Sequence, residues 1–208
     1  MQQLRDSARE ALLECETLFD ALGLTMTAGT EVEWYALEPE NTRHDPKWVW
    51  AEFKKTQKAD PQAFSQLKTI TETSQRISYR NIYDLLRCRI ELAMQKESLR
   101  CHRSHEEAGN ISSPITVVEH NGTTYRAVGQ MLEISLDATS PALQAEWVEK
   151  LHRIIREESE KLGLIADFRS KPPYTQGDAA TSLPGTSQHV HFGLRFKESG
   201  GNALNTPK

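Results

Sequence analysis

Thr30-Glu31-Val32-Glu33-Trp34-Tyr35 and Gln188-His189-Val190-His191-Phe192 decide how this chain is read. Both stretches have the two-residue alternation of a strand, in which successive side chains point to opposite faces. Glu31 and Glu33 therefore share one face, while Val32, Trp34 and Ala36 pack the other way. Two carboxylates about 7 Å apart on one face repel each other unless a cation or solvent intervenes. His189 and His191 repeat the device, with Val190 and Phe192 behind them. Imidazole and carboxylate together suit a divalent cation such as Mg²⁺ or Mn²⁺, and neither stretch holds the Cys that marks structural zinc. Each pattern taken alone equally suits a solvated strand face. A third stretch, Gly129-Gln130-Met131-Leu132-Glu133-Ile134, sets a carboxylate among apolar residues, where an unpaired charge is costly. If Gln130, Leu132, Ile134 and Leu136 lie under a helix, then Met131, Glu133 and Ser135 join the face of Glu31 and Glu33.

Working outward, the 3–4 spacing of Leu4, Ala8, Leu12, Cys15, Leu18, Phe19 and Leu22 predicts a helix over 3–22 with a buried stripe, stopped by Gly23. Two short helices are predicted within 45–67, separated by Asp60-Pro61, and a longer one over 81–96. Ser140-Pro141 caps and opens the strongest helix. Leu143, Trp147, Leu151, Ile154, Ile155 and Leu162 form its inner face, and Gly163 ends it. Strands are predicted over 28–37, 130–136, 164–169 and 188–196. A hairpin is predicted around Asn121-Gly122, the preferred tight-turn pair. Residues 98–107 read as irregular extended chain and 171–184 as a long loop.

The 208 residues carry 25 Lys plus Arg against 29 Asp plus Glu, a formal charge of −4. A chain of this length can bury a core without disulfides. Mild acidity argues against a general nucleic-acid binder. No apolar stretch nears the ~18 residues of a membrane span, and the first residues lack the apolar core of a signal peptide. Cys15, Cys88 and Cys101 are odd in number and scattered, which points to a reducing, cytoplasmic setting, and Cys88 and Cys101 read as buried thiols. Arg76, Arg80, Arg87, Arg89, Arg100 and Arg103 form a basic run, either a solvated helix face or a clamp for phosphate or carboxylate. Trp34, Trp48, Trp50 and Trp147 read as packing residues, and His44, His102, His120 and His152 as surface. Ser187 lacks the elbow motif of a hydrolase nucleophile.

The order of these segments resembles the glutamine synthetase superfamily. The matching text is Thr30-Glu31-Val32-Glu33, Gly129-Gln130 with Glu133-Ile134, Arg169-Ser170-Lys171-Pro172, and Gly185-Thr186-Ser187-Gln188-His189-Val190-His191. Ser104-His105-Glu106-Glu107-Ala108-Gly109 is similar to the first half of a family segment that 110–128 would split as an inserted hairpin. The resemblance spans about 28–197 and implies an α+β fold, a curved antiparallel sheet with helices on its convex face. It implies one domain over 1–197, with an N-terminal helix at 1–23, a helical insert at 38–97 and a flexible tail at 198–208. Carried over by position, Glu31 and His189 match ligands of one divalent cation, and Glu33, Glu133 and Glu106 match ligands of another. His191 and Lys171 match nucleotide or phosphate contacts, and Gly185 matches a glycine beside the substrate.

The resemblance also implies the chemistry. ATP phosphorylates a carboxylate, and an amine attacks the acyl phosphate to form an amide, with Mg²⁺ or Mn²⁺ neutralising the gathered charge. The partners implied are ATP, a small carboxylate and an amine, within a possible homo-oligomer and without nucleic acid or membrane. The chain departs from the family in three places. A helix stands where the family has a small β-domain, and the later arginines that bind phosphate and carboxylate have no counterpart after His191. Gln130-Met131-Leu132-Glu133 carries one residue more than the family's Gln-x-Glu, to be absorbed near Gly129 if Glu133 is to face Glu31. Three readings follow: a minimal ligase, a non-catalytic metal- or nucleotide-binding or regulatory derivative, and an unrelated metal-dependent hydrolase.

Overall fold

β1 (Leu24–Pro39) is a 16-residue strand on which the molecule is assembled. The computed structural model describes residues 2–39, 44–71, 78–107, 115–120, 123–127, 131–168 and 188–205. The other strands are β2 (Cys101–Glu107), β3 (Ile115–His120), β4 (Thr123–Ala127), β5 (Met131–Leu136), β6 (Ile165–Asp167) and β7 (Gln188–Phe196). β1 pairs with β7 along Leu24–Val32, with β5 along Glu31–Trp34, with β6 along Tyr35–Leu37 and with β4 along Leu37–Pro39. β2 adds to β5, and β3 to β4. The product is one open sheet in which every one of these pairings is antiparallel.

The helices are α1 (Gln2–Ala21), α2 (Pro46–Ala59), α3 (Pro61–Ser65), α4 (Lys68–Thr71), α5 (Ile82–Lys96) and α6 (Pro141–Lys161). Their starts are written locally. Asp45, Asp60 and Ser140 each cap a helix whose next residue is proline, and Asn81 caps α5 by accepting from the Tyr83 amide at 3.0 Å. The left-handed turn after α6 falls on Gly163, at φ +70°.

One face of the sheet carries the core. Val32, Trp34, Ala36, Leu132, Ile134 and Leu136 are buried in one cluster with Phe53, Leu85, Leu86, Ile90, Leu151 and Ile155 from the helices. The fold is therefore α+β, an antiparallel sheet with helices on one face. Several side chains sit differently from their sequence patterns. Leu18 and Leu22 of the α1 stripe are exposed, as is Leu143 of α6. Periodicity marks an apolar face but not what covers it. Trp48 and Trp50 are also exposed. Trp48 lies beside His44, and Trp50 meets Tyr79 edge-on with the Lys54 ammonium above it. His44 is half-buried, with one ring nitrogen 3.3 Å from Glu38 and the other 2.8 Å from the Leu162 carbonyl oxygen. Ser199–Asn205 turns back along β7, where the Phe196 amide donates to the Gly201 carbonyl at 2.9 Å.

Candidate functional site

Register places the candidate residues on the face of the sheet away from the core. Glu31 is flanked on one side by His189 of β7 and on the other by Ser135 of β5, which in turn faces Arg103 of β2. This makes a transverse row, Arg103–Ser135–Glu31–His189. One step along the strands, Glu33 faces Glu133, which faces His105, in a second row. Cross-strand partners share a face, so Glu31, Glu33, Glu133 and His189 are neighbours on three adjacent strands. Leu132 and Ile134 lie in the core behind them.

The side chains are in contact. His189 Nδ1 is 3.0 Å from Glu31 Oε2 and 3.9 Å from Glu33 Oε1. His191 Nε2 is 3.5 Å from the same Glu31 oxygen. The His189 hydrogen bond holds the Glu31 carboxyl below its ordinary pKa, and Glu31 in return holds the His189 imidazole above its own. Glu133 goes the other way. Burial raises its pKa first; the Ser135 hydroxyl, donating at 2.9 Å, offsets part of that, and the charges of Glu31 and Glu33 raise it further. Glu33 and Glu133 are 4% and 6% exposed, so two carboxylates are buried side by side.

The remaining candidates divide. The backbone position of Glu106 is opposite Leu132, on the helix-packed face, whereas Glu107 is opposite Met131 on the face of Glu133. Lys171 and Gly185 lie outside the described residues, as does Gly129, where the extra residue before Glu133 was to be absorbed. Among the described residues, no three His, Cys, Asp or Glu side chains are gathered tightly enough to hold one ion.

A shallow cavity of about 720 Å³ adjoins the rows at the Glu31 end, with Thr27, Gly29, His102, Asp137 and His191 in its walls. Gly193 also lines it, and a Cβ there would fall 2.8 Å from Thr27 Oγ1, so a larger residue would displace the Thr27 hydroxyl. Buried Gln144 of α6 holds the adjoining backbone. With its amide oriented to suit the surrounding groups, it donates to the Ala28 and Asp137 carbonyls at 3.1 and 3.2 Å and accepts from the Thr30 amide. Ser135 shares this face with Glu133, as the alternation predicted, and His102, read from sequence as surface, lies 3.8 Å from Asp137.

No protein-family model and no curated protein sequence matches the chain. Solved structures do. Plasmodium falciparum glutamine synthetase superposes with a TM-score of 0.58 at 15% identity, over 96% of this chain and 36% of that one. GmaS in complex with ADP gives a TM-score of 0.52 at 17% identity, over 96% and 36% of the two chains. Ligand-free GmaS gives 0.51 at 17% identity, over 96% and 37%. The chain thus spans little more than a third of the length of each protein it matches. No helix among the described residues is long and apolar enough to cross a membrane. At 15–17% identity the likeness is one of fold: the chain shares the fold of the matching part of glutamine synthetase and of GmaS.

Proposed function

We propose that this chain is an ATP- and Mg²⁺- or Mn²⁺-dependent carboxylate–amine ligase, which forms an amide through an acyl phosphate. One observation carries the reading: three carboxylates and an imidazole occupy adjacent register positions on one face of a superfamily sheet. Burial disfavours the charge on Glu133, which faces Glu33, and a divalent cation between the two carboxylates would offset that. The donors are hard oxygens and a neutral imidazole, a set that fits Mg²⁺ or Mn²⁺. Glu31 and His189 would hold one cation. Glu33 and Glu133 would hold a second, with Glu107 in the place the sequence assigned to Glu106.

When bound, such ions neutralise the triphosphate and the transferring phosphoryl group. The chain's own groups do the rest. His191, exposed at the cavity wall, donates a ring N–H to a nucleotide phosphate. The cavity beside it has room for the nucleotide, and one fold neighbour is a complex with ADP. Lys171 keeps a phosphate role, and Gly185 a place beside the carboxylate substrate, on the resemblance alone. The implied partners are ATP, a small carboxylate and an amine, in a cytoplasmic homo-oligomer.

The test is ADP release, measured with ATP and Mg²⁺ over panels of carboxylates and amines. Release that needs both co-substrates, and that is lost in Glu33→Gln, supports a ligase. Nucleotide binding without turnover would leave a binding derivative, and cleavage by water without ATP would leave a hydrolase.

A further inference from the structure

The two rows concentrate negative charge where a ligase must hold an oxyanion, whether carboxylate or phosphoryl. Metal ions meet part of that need. Side-chain cations usually meet the rest, because they fix the anion's orientation as well as its charge. The structure sorts the basic run of the sequence accordingly. Arg87 is buried and bonds to Asp84 at 3.3 Å and to the Ser104 carbonyl at 2.5 Å. Arg89 bonds to Glu158 at 2.8 Å among the helices. Arg80 and Arg100 precede α5 and β2, and Arg76 lies outside the described residues.

Arg103 is different. Regular pairing counted from Cys101–Leu136 would set it opposite Ile134, on the helix-packed face. A bulge between Cys101 and Arg103 shifts the count by one and sets it opposite Ser135. Bulges re-aim side chains in this way beside active sites. Arg103 is exposed and ends the row that runs through Ser135 and Glu31 to His189. Two strand spacings, roughly 10 Å, separate its backbone from that of Glu31, a gap an arginine side chain largely spans. The other arginine on this face of β1, β2, β5 and β7 is Arg195, opposite Thr25 and six residues along β1 from Glu31, or roughly 20 Å.

We propose that Arg103 is the oxyanion-holding residue of this site, a guanidinium fork that binds the ligand's carboxylate or phosphoryl oxygens opposite the metal-side carboxylates. The proposal rests on the ligase reading and adds to it the group that fixes the anion. It explains the bulge, which costs one ladder position in β2 and delivers one cation to an acidic face. A lysine could supply the charge but not the paired donors.

Calorimetric titration tests this with wild type, Arg103→Ala, Arg103→Lys and the exposed control Arg80→Ala. The probes are Mn²⁺ alone, ADP with Mg²⁺, and L-glutamate with Mg²⁺. Arg103→Ala is expected to bind Mn²⁺ as well as wild type or better, and to bind one of the two anions roughly 10- to 100-fold more weakly. Arg103→Lys should fall between, and Arg80→Ala should match wild type. A loss confined to ADP identifies a phosphoryl group as the anion held; a loss confined to glutamate identifies a carboxylate. Anion binding by wild type that is unchanged in Arg103→Ala overturns this inference alone. Wild type that binds neither Mn²⁺ nor either anion overturns the ligase reading with it.

Discussion

Glu133 is a buried carboxyl set beside a second one. It is buried, faces Glu33 across the strand pair, and has the Ser135 hydroxyl as a neutral donor. Its pKa in the folded chain is raised, above all by burial. A carboxyl whose folded pKa is raised contributes stability below its unfolded pKa and loses that contribution as pH rises through the folded value. Wherever Glu133 is ionised, its charge therefore works against folding. Glu133→Gln removes the charge, keeps an acceptor for Ser135 and preserves the shape. We expect the metal-free variant to melt a few degrees above wild type at pH 7, a gain on the order of 1 kcal/mol. The gain should shrink as pH falls and wild-type Glu133 takes up its proton. With saturating Mn²⁺ the order should reverse, because wild type then gains a ligand the variant lacks. Thermal denaturation across pH, with and without Mn²⁺, reads all three; a variant no more stable than wild type at pH 7 would mean the buried charge is already compensated.

At the scale of the element, β1 and β7 were legible because both alternate without interruption. The nine residues of β7 coincide with their predicted span, and β1 extends its predicted strand at both ends. Alternation also put Glu133 on the face of Glu31, where register places it. β2 was less legible. Its sequence, Cys-His-Arg-Ser-His-Glu-Glu, has no apolar alternation to count from, and its bulge inverts every face after Cys101. Unbulged pairing would set Glu106 opposite Met131; the bulge gives that position to Glu107. The amphipathic pattern of α1 failed for another reason, since a helix reads apolar whether or not anything covers it. The register at β2 makes a prediction that separates adjacent residues. Glu107→Gln should weaken Mn²⁺ binding by at least about tenfold, as loss of a charged ligand does, and Glu106→Gln should leave it nearly unchanged. Electron paramagnetic titration of free Mn²⁺ would decide between them, and the opposite ranking would return Glu106 to the site.

Over the whole molecule, the sheet divides two tasks between its faces. Behind it, Leu151, Ile154 and Ile155 of α6 and the buried residues of α5 supply the stability. In front of it, the acidic rows spend some of that stability on holding like charges together. The two contributions should then be separable by mass action. A ligand that binds only the native state stabilises it by about 2.7 kcal/mol at a hundredfold excess over its Kd. For a domain of this size that is roughly 5–10 °C in melting temperature. We expect Mg²⁺ with ADP to raise the melting temperature by this order, and Mg²⁺ alone by less, because the nucleotide adds its own contacts. Leu151→Ala, which opens a cavity on the far side of the sheet, should cost roughly 2–5 kcal/mol with or without ligand. Its ligand-induced increment should match that of wild type, since distant and independent sites contribute additively. Glu33→Gln should show the converse, with a ligand-free protein at least as stable as wild type, since one of two facing carboxylates is gone, and loss of the increment. Thermal denaturation of the three proteins, with and without Mg²⁺ and ADP, measures both quantities at once. A reduced increment in Leu151→Ala would show that the core sets the geometry of the rows, and that the two faces cannot be treated apart.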